Sequence, residues 1–454
     1  MLKTSTLKNG MKVIRLPRAG NIVTVGFIVH SGCSVEANGT FTPGISQLIE
    51  RLFWCGTDKH PSRRQLNRAL ESMGGNYFSL TNQEFSEYYI TVPAEHQFKA
   101  ITMMAEIIQH SHFDERDMEN EKQFVIERAR NYELDSGFDF SPLAVSNVYQ
   151  GYGYSMPVYG EMETVMGIKQ EEIGEYLARQ YIPENTQLVI AGNIDGKQTT
   201  ELINQEWSFW NPKPRPTIAL KRFPIEDVRE RLPSVVYKQR GLPETQIVCG
   251  FLLDEGSEPR ILRETSPEAR AALDIDKLTD RSLDEWAHLL LLNTILGQGL
   301  SSRLWLKGVE EEMLFDKVFS QLIRFSRSSY LQIQGTADNN QFSFALESIL
   351  SVVDQLKKTP VSINEITKAK EALKGRVIME HEDLLTATVW QVENLIASDL
   401  TFEVTDLLEK IKHIDVASIR AVAEHLFCKD RFFLTTLGTA KETSIVDKLI
   451  VKYL

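Results

Sequence analysis

The chain is poor in several things. Only four cysteines occur in 454 residues (Cys33, Cys55, Cys249 and Cys428), and none sits in a C-x-x-C pair. That spacing excludes a zinc knuckle or a redox dithiol, so free buried thiols in a reducing compartment are expected. No apolar run approaches the ~20 residues needed to span a bilayer. Basic charge is short as well: 50 Lys+Arg face 62 Asp+Glu, a net charge of −12. A nucleic-acid binder needs clustered cations to neutralise phosphates, and this balance argues against one. The opening residues, Met1-Leu-Lys-Thr-Ser-Thr-Leu-Lys8, lack a continuous apolar stretch. No signal peptide and a cytoplasmic location are therefore expected.

What remains is ordinary globular material. Hydrophobic residues make up 42% and mean hydropathy is −0.22, enough to build two to four domain cores at roughly 100–200 residues each. Met11–Leu16, Thr24–His30 and Ser86–Val92 are rich in β-branched and apolar residues and predict strands. Between Ala94 and His110 the apolar residues Phe98, Ile101, Ala105 and Ile108 fall three to four apart, which predicts a helix with one buried stripe. Asp114 is a suitable N-cap for a polar helix running to about Tyr132. From Trp207 to Pro243 the periodicity fades, while Pro212, Pro214, Pro216, Pro224 and Pro233 accumulate. Proline removes donors and fixes φ, so neither helix nor central strand is expected there. The reading is an N-terminal domain at 1–220, a linker at 221–234 and a C-terminal domain at 235–454.

The second half repeats the first in order. Thr245–Leu253 answers to Thr24–His30, Tyr330–Gly335 with the helix Phe344–Leu356 answers to Tyr88–Val92 with its helix, and Ile363–Arg376 stands where Asp114–Arg130 stood. A duplicated α+β unit explains that order. The polar stretch 255–281 has no counterpart and is expected to be a surface insertion.

The most informative segment is Gly44-Ile-Ser-Gln-Leu-Ile-Glu-Arg-Leu-Phe-Trp-Cys-Gly-Thr57. On a helical wheel Ile45, Leu48, Ile49, Leu52 and Phe53 share one face, while Gln47, Glu50, Arg51 and Trp54 share the other. Alone this is a short amphipathic helix. Its frame resembles the zinc helix of the M16 metallopeptidases (insulinase, pitrilysin and mitochondrial processing peptidases), which carries the inverted motif His-x-x-Glu-His. Further matches follow at family spacing across nearly the whole chain: Leu70-Glu-Ser-Met-Gly-Gly75, Tyr88-Tyr89, Glu121 through Arg128, Tyr181-x-Pro-x-Asn185, Ala191-Gly-Asn193 and Leu296-Gly-Gln-Gly-Leu-Ser-Ser-Arg-Leu304.

The resemblance implies a half clamshell of two homologous α+β domains, each an antiparallel sheet with helices packed on one face. It also implies a site, and the site is degraded. The first-His position holds Gln47, the second-His position Arg51 and the distal-Glu position Arg128; only the general-base position, Glu50, keeps its family residue. Catalytic zinc needs three nitrogen or carboxylate ligands and an open fourth position. Arginine keeps its proton and has no lone pair to give. One guanidinium at ~4 Å opposes a divalent ion by roughly 8 kcal/mol at an effective dielectric of ~20. Two would cancel most of the ~10–16 kcal/mol a structural zinc site supplies. No metal and no cofactor are expected.

Glu50 is then read as pairing with Arg51 or Arg128 across two helices, so that Glu50→Gln has the modest effect of losing a partly exposed pair. His110-Ser-His112 and Glu380-His-Glu-Asp383 lack the i, i+4 spacing of helical ligands, and His30 reads as a packed strand histidine. The family's second-domain Arg and Tyr, which the resemblance places against the substrate carbonyl, correspond to Val309 and Asp316. Its edge-strand Asn corresponds to Phe78, followed by Ser79 and Thr81, although an edge strand still accepts an extended peptide. Half-size members of the family work as pairs. The functional expectation is a catalytically silent subunit, not an enzyme, that pairs with a zinc-bearing half-size chain to bind or enclose unfolded peptides; the partner is expected to be a homologous half-size subunit, in a hetero- or homodimer. The alternatives are an assembly scaffold without peptide processing and an active zinc endopeptidase with displaced ligands.

Overall fold

The computed structural model describes residues 2–134, 140–210, 225–253, 275–398, 402–439 and 443–454. Two compact units emerge. Unit 1 comprises Met1–Asp135, Gly151–Arg222 and Glu382–Trp390; unit 2 comprises Ser136–Gln150, Phe223–His381 and Gln391–Leu454. Each half of the chain thus lends a short segment to the unit built mainly from the other. Residues 221–224 of the expected linker and 255–274 of the expected insertion lie outside the described residues. Elsewhere the proline-rich stretch is more ordered than its composition suggests. It carries a one-turn helix at Ile225–Arg229 and a strand at Ser234–Gln239, the latter at a sheet edge, and the helix Ile275–Gly297 takes the end of the insertion.

Unit 1 holds a sheet of β1 (Lys3–Thr6), β2 (Lys12–Pro17), β3 (Ile22–Val29), β4 (Asn76–Thr81), β5 (Ser86–Pro93) and β6 (Thr186–Gly192), ordered β1-β2-β6-β3-β5-β4. Unit 2 holds β7 (Ser234–Gln239), β8 (Glu244–Leu252), β9 (Val318–Arg324), β10 (Ser329–Asp338) and β11 (Phe432–Gly438), ordered β7-β11-β8-β10-β9. Removing β1 makes the two orders superimpose, with every pairing in the same sense, which is the duplication expected from the sequence.

Two details correct the simple picture of antiparallel sheets with helices on one face. Each sheet contains one parallel pair, β2 with β6 and β7 with β11, because its last strand returns beside its first by a long crossover. Unit 2 also carries helix on both faces. The main helices here are α1 (Ile45–Leu52), α2 (Arg63–Glu71), α3 (Gln97–His110), α4 (Glu115–Leu134) and α5 (Ser141–Val148). At α5 the Ser141 hydroxyl accepts from Gln332 at 2.9 Å, and Asn147 donates to the Leu434 carbonyl at 3.1 Å and to the Thr435 hydroxyl at 2.9 Å. Gln332 and Gln334 are buried on one face of β10, so Leu331 and Ile333 point to the other by strand alternation.

The core of unit 1 lies between the sheet and α1 and α3. Val23, Val25, Phe27 and Val29 of β3 meet Tyr88, Ile90 and Val92 of β5 and the apolar faces of both helices. On the opposite sheet face β3 leaves room for a ring: a Cβ on Gly26 would stand 2.4 Å from the Tyr89 ring, which is itself fully buried. Gly26→Ala is therefore expected to cost about 1–3 kcal/mol through overpacking. Denaturant unfolding checks this, and an unchanged midpoint would contradict the close seating of that ring.

Candidate functional site

The start of α1 is held from inside the protein. Gly44 precedes the helix at φ 95°, where an L side chain is strained, and a Cβ there would meet the Val165 side chain at 2.7 Å. The free N–H groups of the first turn are satisfied by a buried carboxylate. Glu36 accepts from Gly44 N at 2.8 Å, Ser46 N at 3.0 Å and Ser46 Oγ at 2.6 Å. This is an N-cap supplied from a distant segment. Burial pushes the Glu36 carboxyl up to about 8, against the pull of those three donors.

Ile45, Leu48, Ile49 and Leu52 are fully enclosed, as the wheel predicts, but the opposite face is covered too. Gln47 is 8% exposed, Glu50 6% and Trp54 3%, because α4 and β4 pack over it. Periodicity distinguishes two faces; it does not say that the polar one is wet.

Glu50 is therefore not part of an exposed ion pair. Its two oxygens accept from Gln47 Nε2 at 2.7 Å and Ser79 Oγ at 2.6 Å, and Trp54 Nε1 donates to the same Ser79 hydroxyl at 3.2 Å. The expected partnership with Arg51 or Arg128 is not formed. Burial raises the Glu50 carboxyl above the usual range, opposed by the Ser79, Gln47 and Thr81 hydrogen bonds and then by the Arg51 charge.

Arg51 turns instead to α4. Its Nε donates to Glu121 Oε2 at 2.6 Å, and Arg63 Nη2, from α2, reaches Glu121 Oε1 at 2.8 Å. One carboxylate, 10% exposed, thereby joins three helices. The Arg51 guanidinium also lies over the Phe124 ring, 3.5 Å from its centroid, and Arg128 lies over that ring at 5.7 Å. Positions 51 and 128 thus both place a guanidinium against the ring of Phe124. Sequence reasoning missed Arg63 and Phe124, which belong to no motif. Glu121 figured only as a register mark.

These residues do not fit a zinc ion. Of the three ligand positions one is an amide bonded to Glu50, one a guanidinium held by Glu121 and one a guanidinium on Phe124. Among the described residues no group of three or more His, Cys, Asp or Glu side chains is arranged to hold a metal. His110 and His112 both approach the exposed Asp58, at 3.5 and 2.6 Å. His30 lies just beyond the end of β3, not within it as expected. His381 bonds the Val377 carbonyl, and Asp383 caps the helix Leu384–Ser398 at Thr386 N. In unit 2, Val309 sits in the π-helical turn Leu306–Glu311 and Asp316 is exposed beyond it. Phe78 lies on β4, an edge strand whose Tyr77, Phe78 and Leu80 are each close to 40% exposed.

Comparison with known proteins identifies the family and the fold. Residues 14–157 match the family model for insulinase (peptidase family M16), and residues 167–373 match the model for the peptidase M16 inactive domain. The chain is 24% identical over 434 residues to the uncharacterized zinc protease YmxG of Bacillus subtilis, covering 95% of this chain and 97% of that one. It is 26% identical over 209 residues to the mitochondrial-processing peptidase subunit beta of Dictyostelium discoideum, about 45% of either chain. A protease from Helicobacter pylori has the same fold at a TM-score of 0.79 and 18% identity, covering 96% of this chain and 99% of the other. A peptidase M16 inactive domain from Pseudomonas fluorescens also gives 0.79, at 15% identity with 97% and 99% covered.

Arg51→Ala is expected to cost about 1–2 kcal/mol, one charge-assisted hydrogen bond, because Glu121 keeps Arg63. Equilibrium unfolding measures this, and a cost near zero would mean that Arg63 alone satisfies the carboxylate. For Glu50 the sign is set by its raised carboxyl. The folded protein disfavours the charged form, so wild type carries no penalty below the ordinary carboxylate range and loses stability as pH rises through the raised value. Glu50→Gln has no such titration, so its melting temperature should rise relative to wild type between acid and neutral pH. A gap independent of pH would refute the assignment.

Proposed function

Because the chain belongs to the M16 (insulinase) family of peptidases, we propose that it is a catalytically silent member, a pseudopeptidase subunit that pairs with a zinc-bearing half-size chain and helps to bind or enclose peptide. The observation that carries the reading is the Arg51–Glu121 pair. A cation, itself committed to a buried carboxylate, stands at a ligand position of the ancestral site. Glu50 alone keeps its family residue, but both its oxygens are taken by Gln47 and Ser79 and the neighbouring ligand positions hold no group that could present it with a metal-activated water.

Peptide binding is supported by β4. An edge strand offers unpaired backbone groups to an extended segment, and Tyr77, Phe78 and Leu80 offer apolar contact beside it. Pairing is supported by the half-size length and by kinship to a protein named as a subunit. Val309 and Asp316 weigh toward an assembly scaffold, since neither can reach for a carbonyl as the family's Arg and Tyr do.

Metal analysis and hydrolysis of an unfolded casein substrate test the silent reading. Wild type should carry no stoichiometric zinc and show no chelator-sensitive cleavage. The triple variant Gln47→His, Arg51→His, Arg128→Glu should take up about one zinc per chain, because the helices are already in place. Stoichiometric zinc in wild type, lost on Glu50→Gln together with proteolysis, would overturn it. Co-purification from the native source tests the partner: recovery of a half-size chain with an intact His-x-x-Glu-His helix supports pairing, and a large assembly without one favours the scaffold.

A further inference from the structure

At the degraded ligand positions the side chains form a cationic cluster around Phe124. Arg51 spends only its Nε on Glu121, and among the described residues its two terminal nitrogens have no partner. Arg128 is exposed, lies against the Phe124 ring and, among the described residues, forms no ion pair. Glu121 is shared between Arg51 and Arg63, so one carboxylate answers two cations and Arg128 adds a third. The nearby Lys122 is neutralised by Glu119 at 2.7 Å. Glu50 turns both its oxygens to Gln47 and Ser79 and makes no ion pair with Arg51 or Arg128.

We propose that Arg51 and Arg128, stacked on Phe124, form a carboxylate-binding site that selects acidic peptide. A guanidinium with both terminal N–H groups free presents the fork that a carboxylate accepts two-pronged. The aromatic plane beneath holds both cations in place, so little side-chain entropy is lost on binding. The occupant is peptide and not nucleic acid, because Ser79 of the edge strand β4 bonds Glu50, the sequence neighbour of Arg51, while the chain as a whole carries −12. This inference rests on the reading of the protein as a peptide-binding subunit and adds its chemistry. The carboxylate is that of an Asp or Glu side chain or of a peptide C-terminus.

The test uses the full-length protein and fluorescein-labelled unfolded peptides of one sequence in four forms. These are acidic with an amidated C-terminus, the same with Asn and Gln for Asp and Glu, that neutral form with a free C-terminus, and a Lys form. Anisotropy at low salt should show the acidic form binding about tenfold more tightly than its amide counterpart, and the difference should shrink at 0.3 M salt. Arg128→Gln should reduce that preference at least threefold with an unchanged melting temperature, since Arg128 is exposed. Tighter binding of the free C-terminus than of its amidated neutral counterpart would assign the site to chain ends; preference for the acidic side chains assigns it to internal residues. Equal binding of all four forms overturns the carboxylate site while leaving the peptide reading intact. If no form binds, calorimetric titration with N-acetyl-aspartate amide decides. Heat that disappears in Arg128→Gln keeps the carboxylate site and removes the peptide reading, and absence of heat removes both.

Discussion

The Glu121 carboxylate, almost fully withdrawn from water and gripped by Arg51 and Arg63, is the constraint on which the site depends. A buried anion without partners costs several kcal/mol, so neither arginine is free to leave for long. That commitment ties α1, α2 and α4 together and fixes the Arg51 guanidinium above Phe124. Placing a histidine at position 51 alone would leave Glu121 half-satisfied, so a metal site could not be built here one side chain at a time without a loss of stability.

A second consequence follows for Glu50. The carboxylate at the family's general-base position stands among an amide, a hydroxyl and an indole N–H chain. The hydrogen bonds satisfy its geometry, yet burial still works against its charge. Its persistence at this position is explained by packing and hydrogen bonding, with no chemistry required.

Much of this was legible beforehand, for identifiable reasons. Helix and strand positions followed from periodicity, and the match of β3 to β8 and of α4 to Ile363–Glu382 followed from repeated order. The identities at positions 47, 51 and 128 are read directly from the motif frame. What sequence could not supply was direction. Arg51 has an acid beside it at position 50 and another at 121, and only the fold decides that it reaches across to the latter. Phe124 is an unremarked aromatic on a polar helix until two guanidiniums are found above it. The parallel pairs and the passage of α5 onto the sheet of unit 2 depend on long crossovers that local patterns do not encode.

The capping of α1 by Glu36 separates where that helix sits from what it displays. Its first turn is anchored by a side chain outside the helix and its apolar face by the core, so neither anchor passes through positions 47 or 51. Side chains there can change without loosening the scaffold that carries them. The architecture is compatible with more than one set of residues at these positions, and the same rigid mount can serve side chains with different tasks.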